Sequence, residues 1–193
     1  MNTIPTVWIV LGIILVAALL VAAAWVSSQK KKKRSERLQQ RFGPEYNRTV
    51  DKLGGRGKAE SELEARETRV DKLTIKTLSP SEAARFSQAW AALQGRFVDD
   101  PKGVVTQADQ LVRELMLARG YPMGDFERRS ADISVDHPAV VEHYRAAQAI
   151  AVRDQRGDVN TEELRKAVVH YRALFDELLE IRETAPRDGF IAA

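Results

Sequence analysis

The chain has 193 residues, 30 Lys or Arg against 27 Asp or Glu, a formal net charge of +3 and no cysteine. The missing cysteines exclude disulfides, thiolate zinc sites and cysteine nucleophiles, and they suit a reducing compartment. Twelve residues, Lys30 to Arg41, hold seven of the basic side chains against Glu36 alone. The remainder has 23 basic and 26 acidic residues. The basic character therefore belongs to one short run, and a nucleic-acid face on the folded part is excluded.

In chain order, Ile4 to Val26 comes first and carries no charged side chain. It exceeds the ~20 apolar residues a bilayer-crossing helix requires, and reaches roughly 34 Å at ~1.5 Å per residue. Its thirteen Ile, Leu and Val residues favour insertion by roughly 4–6 kcal/mol. Trp8 and Trp25 lie near its ends like aromatic belts, and Pro5 suits a first helical turn. The expectation is a single-pass span through Ile4, Trp8, Gly12, Leu20, Trp25 and Val26. The rival reading is a cleavable signal peptide, which Ala22-Ala23-Ala24 resembles. Against it stand an uncharged leading segment and an apolar core longer than 7–15 residues.

Lys30, Lys31, Lys32, Lys33, Arg34 and Arg37 set the expected topology and make a secondary contact with anionic lipid headgroups. The positive-inside rule then puts the amino terminus outside and the bulk of the chain in the cytoplasm. Ala18 and Ala22 have small-xxx-small spacing, a weak pairing signal in so Ala-rich a segment.

Ser27 to Phe42 reads as a helical stalk stopped by Gly43-Pro44. Glu45 to Leu53 reads as a short helix ended by Gly54-Gly55. Gly57 to Leu73 reads as a charged connecting helix whose thin seam, Ala59, Leu63, Val70 and Leu73, is interrupted by Arg66. So little apolar surface suggests a solvated connector, with docking on a partner helix or on the domain as the other option. Leu73 to Leu78 reads as extended.

Ser79-Pro80-Ser81-Glu82 is a capping-box start. Behind it Ala83, Phe86, Trp90, Leu93 and Phe97 recur at 3/4 spacing. The next stripe is Val104, Ala108, Leu111, Leu115 and Ala118, widened by Val105, Val112 and Met116, which predicts a central helix closed by Gly120. Met123 to Asp136 reads as irregular, with Ile133 and Val135 tucked under the bundle. A third helix opens at Asp136-His137-Pro138, with Val140, Tyr144, Ala147 and Ala151 on one side. After Arg156-Gly157-Asp158, Asn160 to Glu163 caps a fourth helix running to about Arg182. Its stripe is Leu164, Val168, Tyr171, Phe175, Leu178 and Leu179.

The predicted fold class is all-α: a transmembrane helix with a stalk, then a small antiparallel helical bundle. The expected domains are an anchor over 1–27, a basic stalk and charged linker over 28–78, a bundle over 79–183 and a tail over 184–193.

Site chemistry is sparse. The residues around Gly54 to Ala59 fail the phosphate-loop pattern, because Lys52 stands where its first Gly belongs and Ala59 where Ser or Thr belongs. His143 and His170 share the context His-Tyr-Arg-Ala, and two such units on helices can bring the rings together. A metal there needs further ligands, with Glu142 or Asp176 to hand, and the spacing matches no ligand signature, so no metal is assigned. Asp99-Asp100 and Asp132/Asp136 read as helix caps rather than catalytic pairs. No cofactor is implied.

Arg96-Phe97-Val98-Asp99-Asp100-Pro101, Ala118-Arg119-Gly120-Tyr121-Pro122, Ser134-Val135-Asp136-His137-Pro138 and His143-Tyr144-Arg145 occur in order. With these blocks the chain resembles a group of uncharacterised bacterial proteins that have one amino-terminal membrane helix and a helical remainder. The resemblance covers roughly residues 41–182. It implies a bacterial source and an inner-membrane address, and transfers no catalytic or binding residue. The leading functional reading is a non-enzymatic, membrane-tethered module that binds another protein or itself. The alternatives are a small His-dependent metal-binding enzyme and a lipid-surface sensor working through Lys30 to Arg41.

Overall fold

Helical periodicity governs the chain from end to end of its described part. The structure is a computed structural model that describes residues 4–179, with the side chains of residues 4–14, 16–18 and 24 outside the description. Eight helices are described: α1 (Ile4–Phe42), α2 (Pro44–Leu53), α3 (Arg56–Val70), α4 (Pro80–Gly95), α5 (Pro101–Arg119), α6 (Phe126–Asp136), α7 (Val141–Asp154) and α8 (Thr161–Leu179). No strand occurs among the described residues. The chain divides into two compact units, Met1–Arg41 and Phe42–Ala193.

The first unit corrects the membrane expectation. Among the described residues no helix is long and apolar enough to cross a membrane. The apolar side chains described in α1 are Leu15, the stretch Leu19 to Ala23, Trp25 and Val26, followed by Ser27, Ser28, Gln29 and the lysines, and then the buried Leu38 and Phe42 near its end. The single-pass span, the inner-membrane address, the outside amino terminus and the cytoplasmic bulk therefore do not stand. Of the expected span, Leu20, Trp25 and Val26 are exposed helix residues. Ile4, Trp8 and Gly12 lie outside the described side chains.

The second unit is a helical bundle whose 3/4 stripes do the packing. Phe86, Trp90 and Leu93 of α4 and Val104, Ala108, Leu111 and Leu115 of α5 are buried in one apolar cluster with Tyr144 and Ala147 of α7. Leu164, Val168, Tyr171, Phe175 and Leu178 of α8 complete it. The widened face of α5 has its predicted consequence: α5 packs on α4, α7 and α8. The Trp90 and Phe175 rings stack with centroids 4.7 Å apart, and Tyr144 meets Tyr171 edge-on at 6.4 Å. Offset and edge-on contacts suit the ring quadrupoles and add about 0.5–1.5 kcal/mol each beyond burial.

The caps follow the sequence closely. Ser79 and Glu82 form the reciprocal capping box, and Asn160 and Glu163 do the same before α8. Two expectations fail. Residues 126–136 form α6 rather than irregular chain, capped by the Asp125 side chain on the Arg128 N–H, and α7 starts at Val141 rather than near Asp136. The seam of α3 is buried, since Ala59, Leu63, Arg66 and Val70 are all enclosed. α3 is thus docked on α2 and α6 and is not a solvated connector.

The segment between α3 and α4 crosses the end of α5. The Lys76 N–H donates to the Arg119 carbonyl at 2.8 Å, and the Arg119 guanidinium donates to the Leu178 carbonyl at 2.9 Å, satisfying an open carbonyl at the end of α8. Gly120 has φ +97°, and a Cβ there stands 2.4 Å from the Thr74 carbonyl oxygen. Gly54, at φ +67°, has nothing within 4 Å of its added Cβ. Both positions strain an L side chain, and only Gly120 adds a backbone collision. Gly120→Ala is expected to destabilise the chain by about 2–3 kcal/mol, more than Gly54→Ala at about 1 kcal/mol. Urea unfolding of the two variants checks the order; equal losses refute it.

Candidate functional site

Two polar assemblies are built on consecutive residues of α7. On the helix, each residue turns the side chain by about 100°, so His143, Tyr144 and Arg145 face three directions. Tyr144 enters the core. His143 looks across to α8, where His170 occupies the same place beside the buried Tyr171. The packing of α7 on α8 thus sets the two imidazoles side by side, with Nδ1···Nδ1 at 2.9 Å and ring centroids 5.2 Å apart.

His143 is exposed and His170 half-buried. At this separation one Nδ1 donates a proton to the other, so at least one ring is neutral at that nitrogen. Burial lowers the pKa of His170 from its ordinary 6.5, and the neighbouring charge of His143 lowers it further. The predicted meeting of the two His-Tyr-Arg units is present. The extra ligands considered for a metal are engaged elsewhere: Asp176 accepts from Arg172 at 2.6 Å, and Glu142 lines a groove with Arg48 and Lys52. Among the described residues no three or more His, Asp or Glu converge as a metal-holding group. His137 is separate from the pair, with Nδ1 2.9 Å from Glu177.

Arg145 turns the other way, into a buried ion cluster. Glu45, 1% exposed, accepts from Arg66 Nη1 at 3.1 Å and from Arg145 Nη2 at 2.8 Å on the same Oε1. Arg66 also reaches Glu62, and Arg145 reaches Glu127, which takes the Lys52 ammonium at 2.7 Å. The hydrogen bond from Lys52, with the charge of Arg145 behind it, holds the Glu127 carboxyl below its ordinary range. Beside this cluster Asp132, also enclosed, pairs with Arg69 at 2.7 Å, and the Tyr46 hydroxyl donates to Glu60. Next to Lys52 and Glu127 opens a groove of about 660 Å³, lined by Pro44, Arg48, Asp51, Lys52, Glu127 and Glu142. Its charged lining is mixed, with the cations Arg48 and Lys52 and the carboxylates Asp51, Glu127 and Glu142.

The other predicted acids separate into two kinds. Asp100 Oδ1 accepts from the Gly103 N–H at 2.9 Å, a helix cap as expected. Asp132 and Asp136 lie inside α6, the first paired with Arg69 and the second accepting from the Tyr121 hydroxyl at 2.9 Å, so neither is the cap it was read to be. The topology lysines Lys30 to Lys33 and Arg37 are exposed on α1, with Lys32 3.9 Å from Glu36. Sequence reasoning missed the Glu45 cluster, although Arg66 on an otherwise apolar seam was its signal. An arginine at a buried position calls for a buried carboxylate. Comparison with protein-family models, curated proteins and solved structures gave no match.

Glu45 keeps one guanidinium if Arg66 or Arg145 alone is replaced and loses both if the two are replaced together. Arg66→Met with Arg145→Met is therefore expected to cost about 3–5 kcal/mol, more than the sum of the single variants. A double-mutant cycle in urea checks this, and strict additivity rejects it. The histidine pair imposes a second expectation. With its folded pKa below 6.5, His170 stays neutral while the unfolded chain already takes up a proton. The pair's contribution is complete above pH 6.5 and is lost as the pH falls through 6.5 toward the lower folded value. Thermal melts at pH 7.5 and 5.5 are expected to differ more for the parent than for His170→Gln; identical shifts contradict it.

Proposed function

We propose that the chain is a helical protein-interaction module, acting by binding rather than by catalysis. The observation that carries this reading is the exposure of α1's apolar side chains. Leu15, Leu19, Leu20, Val21, Trp25 and Val26 are 46–70% exposed along one helix. At about 25 cal/mol per Å² such side chains gain considerably from a cover, and contiguous exposed apolar surface marks interaction sites. The antiparallel arrangement anticipated for the bundle suits such a module, since its folded unit encloses most of its large apolar side chains, with Val98, Leu117 and Val169 among those left exposed.

Charge selects the partner. The apolar stretch runs into Lys30 to Arg41, where seven cations face Glu36 alone. A second copy lying parallel sets like charges side by side, which is unfavourable. A protein that presents an apolar, helix-sized surface flanked by acidic residues matches both features at once. The ion clusters of the folded unit support a binding role in a further way: their acids and bases neutralise one another and leave no activated nucleophile or base.

In-cell crosslinking of the full chain, with a photoreactive residue replacing Val21, tests the reading. The expected result is a discrete protein adduct, lost on Leu19→Ser with Leu20→Ser and weakened when Lys30 to Lys33 are changed to Gln. High salt is expected to weaken it too, through screening of the basic flank. No adduct, or adducts to lipid alone, overturns the proposal.

A further inference from the structure

The paired imidazoles on α7 and α8 have a use that hydrogen bonding alone leaves open. We infer that His143 and His170 chelate a tetragonal divalent transition-metal ion, Cu²⁺ foremost, through their two Nδ1 atoms, with the remaining positions open to water. This inference stands independently of the role given to α1.

Geometry is the first argument. Two nitrogen ligands at about 2.0–2.1 Å and an angle near 90° lie about 2.9 Å apart, whereas tetrahedral zinc sets them about 3.3 Å apart. The structure has Nδ1···Nδ1 at 2.9 Å, the separation for cis positions of a square-planar or tetragonal ion. Imidazole is a preferred ligand of Cu²⁺ and Ni²⁺, and Cu²⁺ leads the affinity order of the first-row divalent ions.

Placement is the second argument. Both rings stand on helices that pack directly on each other, with Tyr144 and Tyr171 buried beside them, so the ligand separation is held by the core. His143 is exposed, which gives an ion access from solvent. The proton balance is simple. The ring that donates from Nδ1 in the free pair moves that proton to Nε2, and both Nδ1 lone pairs then face the ion. No net proton is released from a neutral pair.

Among the described residues no third His, Asp or Glu joins the pair as a metal-holding group. Asp176 is held by Arg172, and Glu177 by His137. The ion therefore keeps two protein ligands, and open positions remain for water or a small ligand.

Cu²⁺ added to the full chain in a non-coordinating buffer provides the test, read by calorimetry and by electron paramagnetic resonance. The expected outcome is one ion per chain with two equatorial nitrogens, bound more tightly than Zn²⁺. His143→Ala and His170→Ala are each expected to weaken it by more than about tenfold, beyond the loss of an outer-shell contact. His137→Ala is expected to leave it unchanged, and circular dichroism verifies that each variant stays helical. Unchanged Cu²⁺ affinity in the His143→Ala/His170→Ala double variant overturns the inference, as does tighter binding of Zn²⁺ or a spectrum without two nitrogens.

Discussion

The 100° step between successive helical residues, applied at His143, Tyr144 and Arg145, is the constraint on which both polar assemblies depend. Once Tyr144 is buried against α8, the flanking side chains have no freedom to choose their surroundings. His143 must lie along the α7–α8 seam, and Arg145 must point toward α2 and α3, where Glu45 receives it. The same triplet in α8 obeys the same geometry. Tyr171 is buried, His170 meets His143, and Arg172 donates to Gln94 and lies 5.6 Å from the centre of the Trp90 ring. One short sequence used twice fixes the core, the histidine pair and two arginine contacts.

The ion cluster shows how the α2–α3 hairpin is held to the rest of its unit. The main apolar cluster includes no residue of α2 or α3; theirs are Tyr46, Ala59, Leu63 and Val70, buried apart from it. What reaches between the hairpin and α6 or α7 is largely charge: Glu45 with Arg145, Arg69 with Asp132, Lys52 with Glu127. Burying such pairs costs desolvation that their attraction offsets only when the geometry is good, so they add little net stability. Removing one partner is nonetheless expensive. Their effect is to fix one docking position, because a hairpin displaced by a turn leaves buried charges without partners.

The legible and illegible parts of the fold divide along this line. Helices α4, α5 and α8 were readable because each buries one face and exposes the other, and that asymmetry is written at 3/4 spacing in residues such as Phe86, Leu111 and Phe175. Helix α6 was not. Its enclosed residues include Arg129, Ser130, Asp132 and Ser134, satisfied by partners far from any apolar pattern, and serine and aspartate have poor helix propensity. The Ser130 and Ser134 hydroxyls donate back to carbonyls of their own helix, and Arg129 donates to the Tyr144 hydroxyl. The ion cluster was hidden for a related reason. Glu45 lies 21 residues from Arg66 and 100 from Arg145, and charge pairing has no period to betray it. The histidine pair was readable because identical local sequences on two neighbouring helices repeat one orientation. The amino-terminal span was read from an apolar run with tryptophans near its ends and lysines behind it, and among the described residues no helix is long and apolar enough to cross a membrane.

The two units present apolar surface differently, and the binding role proposed above draws on that contrast. In residues 42–179, large side chains such as Trp90, Tyr144 and Phe175 are almost completely enclosed, and the buried acids Glu45 and Asp132 have cationic partners. In α1 Leu15, Leu19 to Ala23, Trp25 and Val26 are exposed ahead of the basic run, while Leu38 and Phe42 are buried. The second unit encloses most of its large hydrophobic side chains and leaves Val98, Leu117 and Val169 exposed, whereas α1 exposes the run that the proposed partner would cover. The histidine pair adds two partly exposed imidazoles whose spacing is set by the packing of α7 on α8.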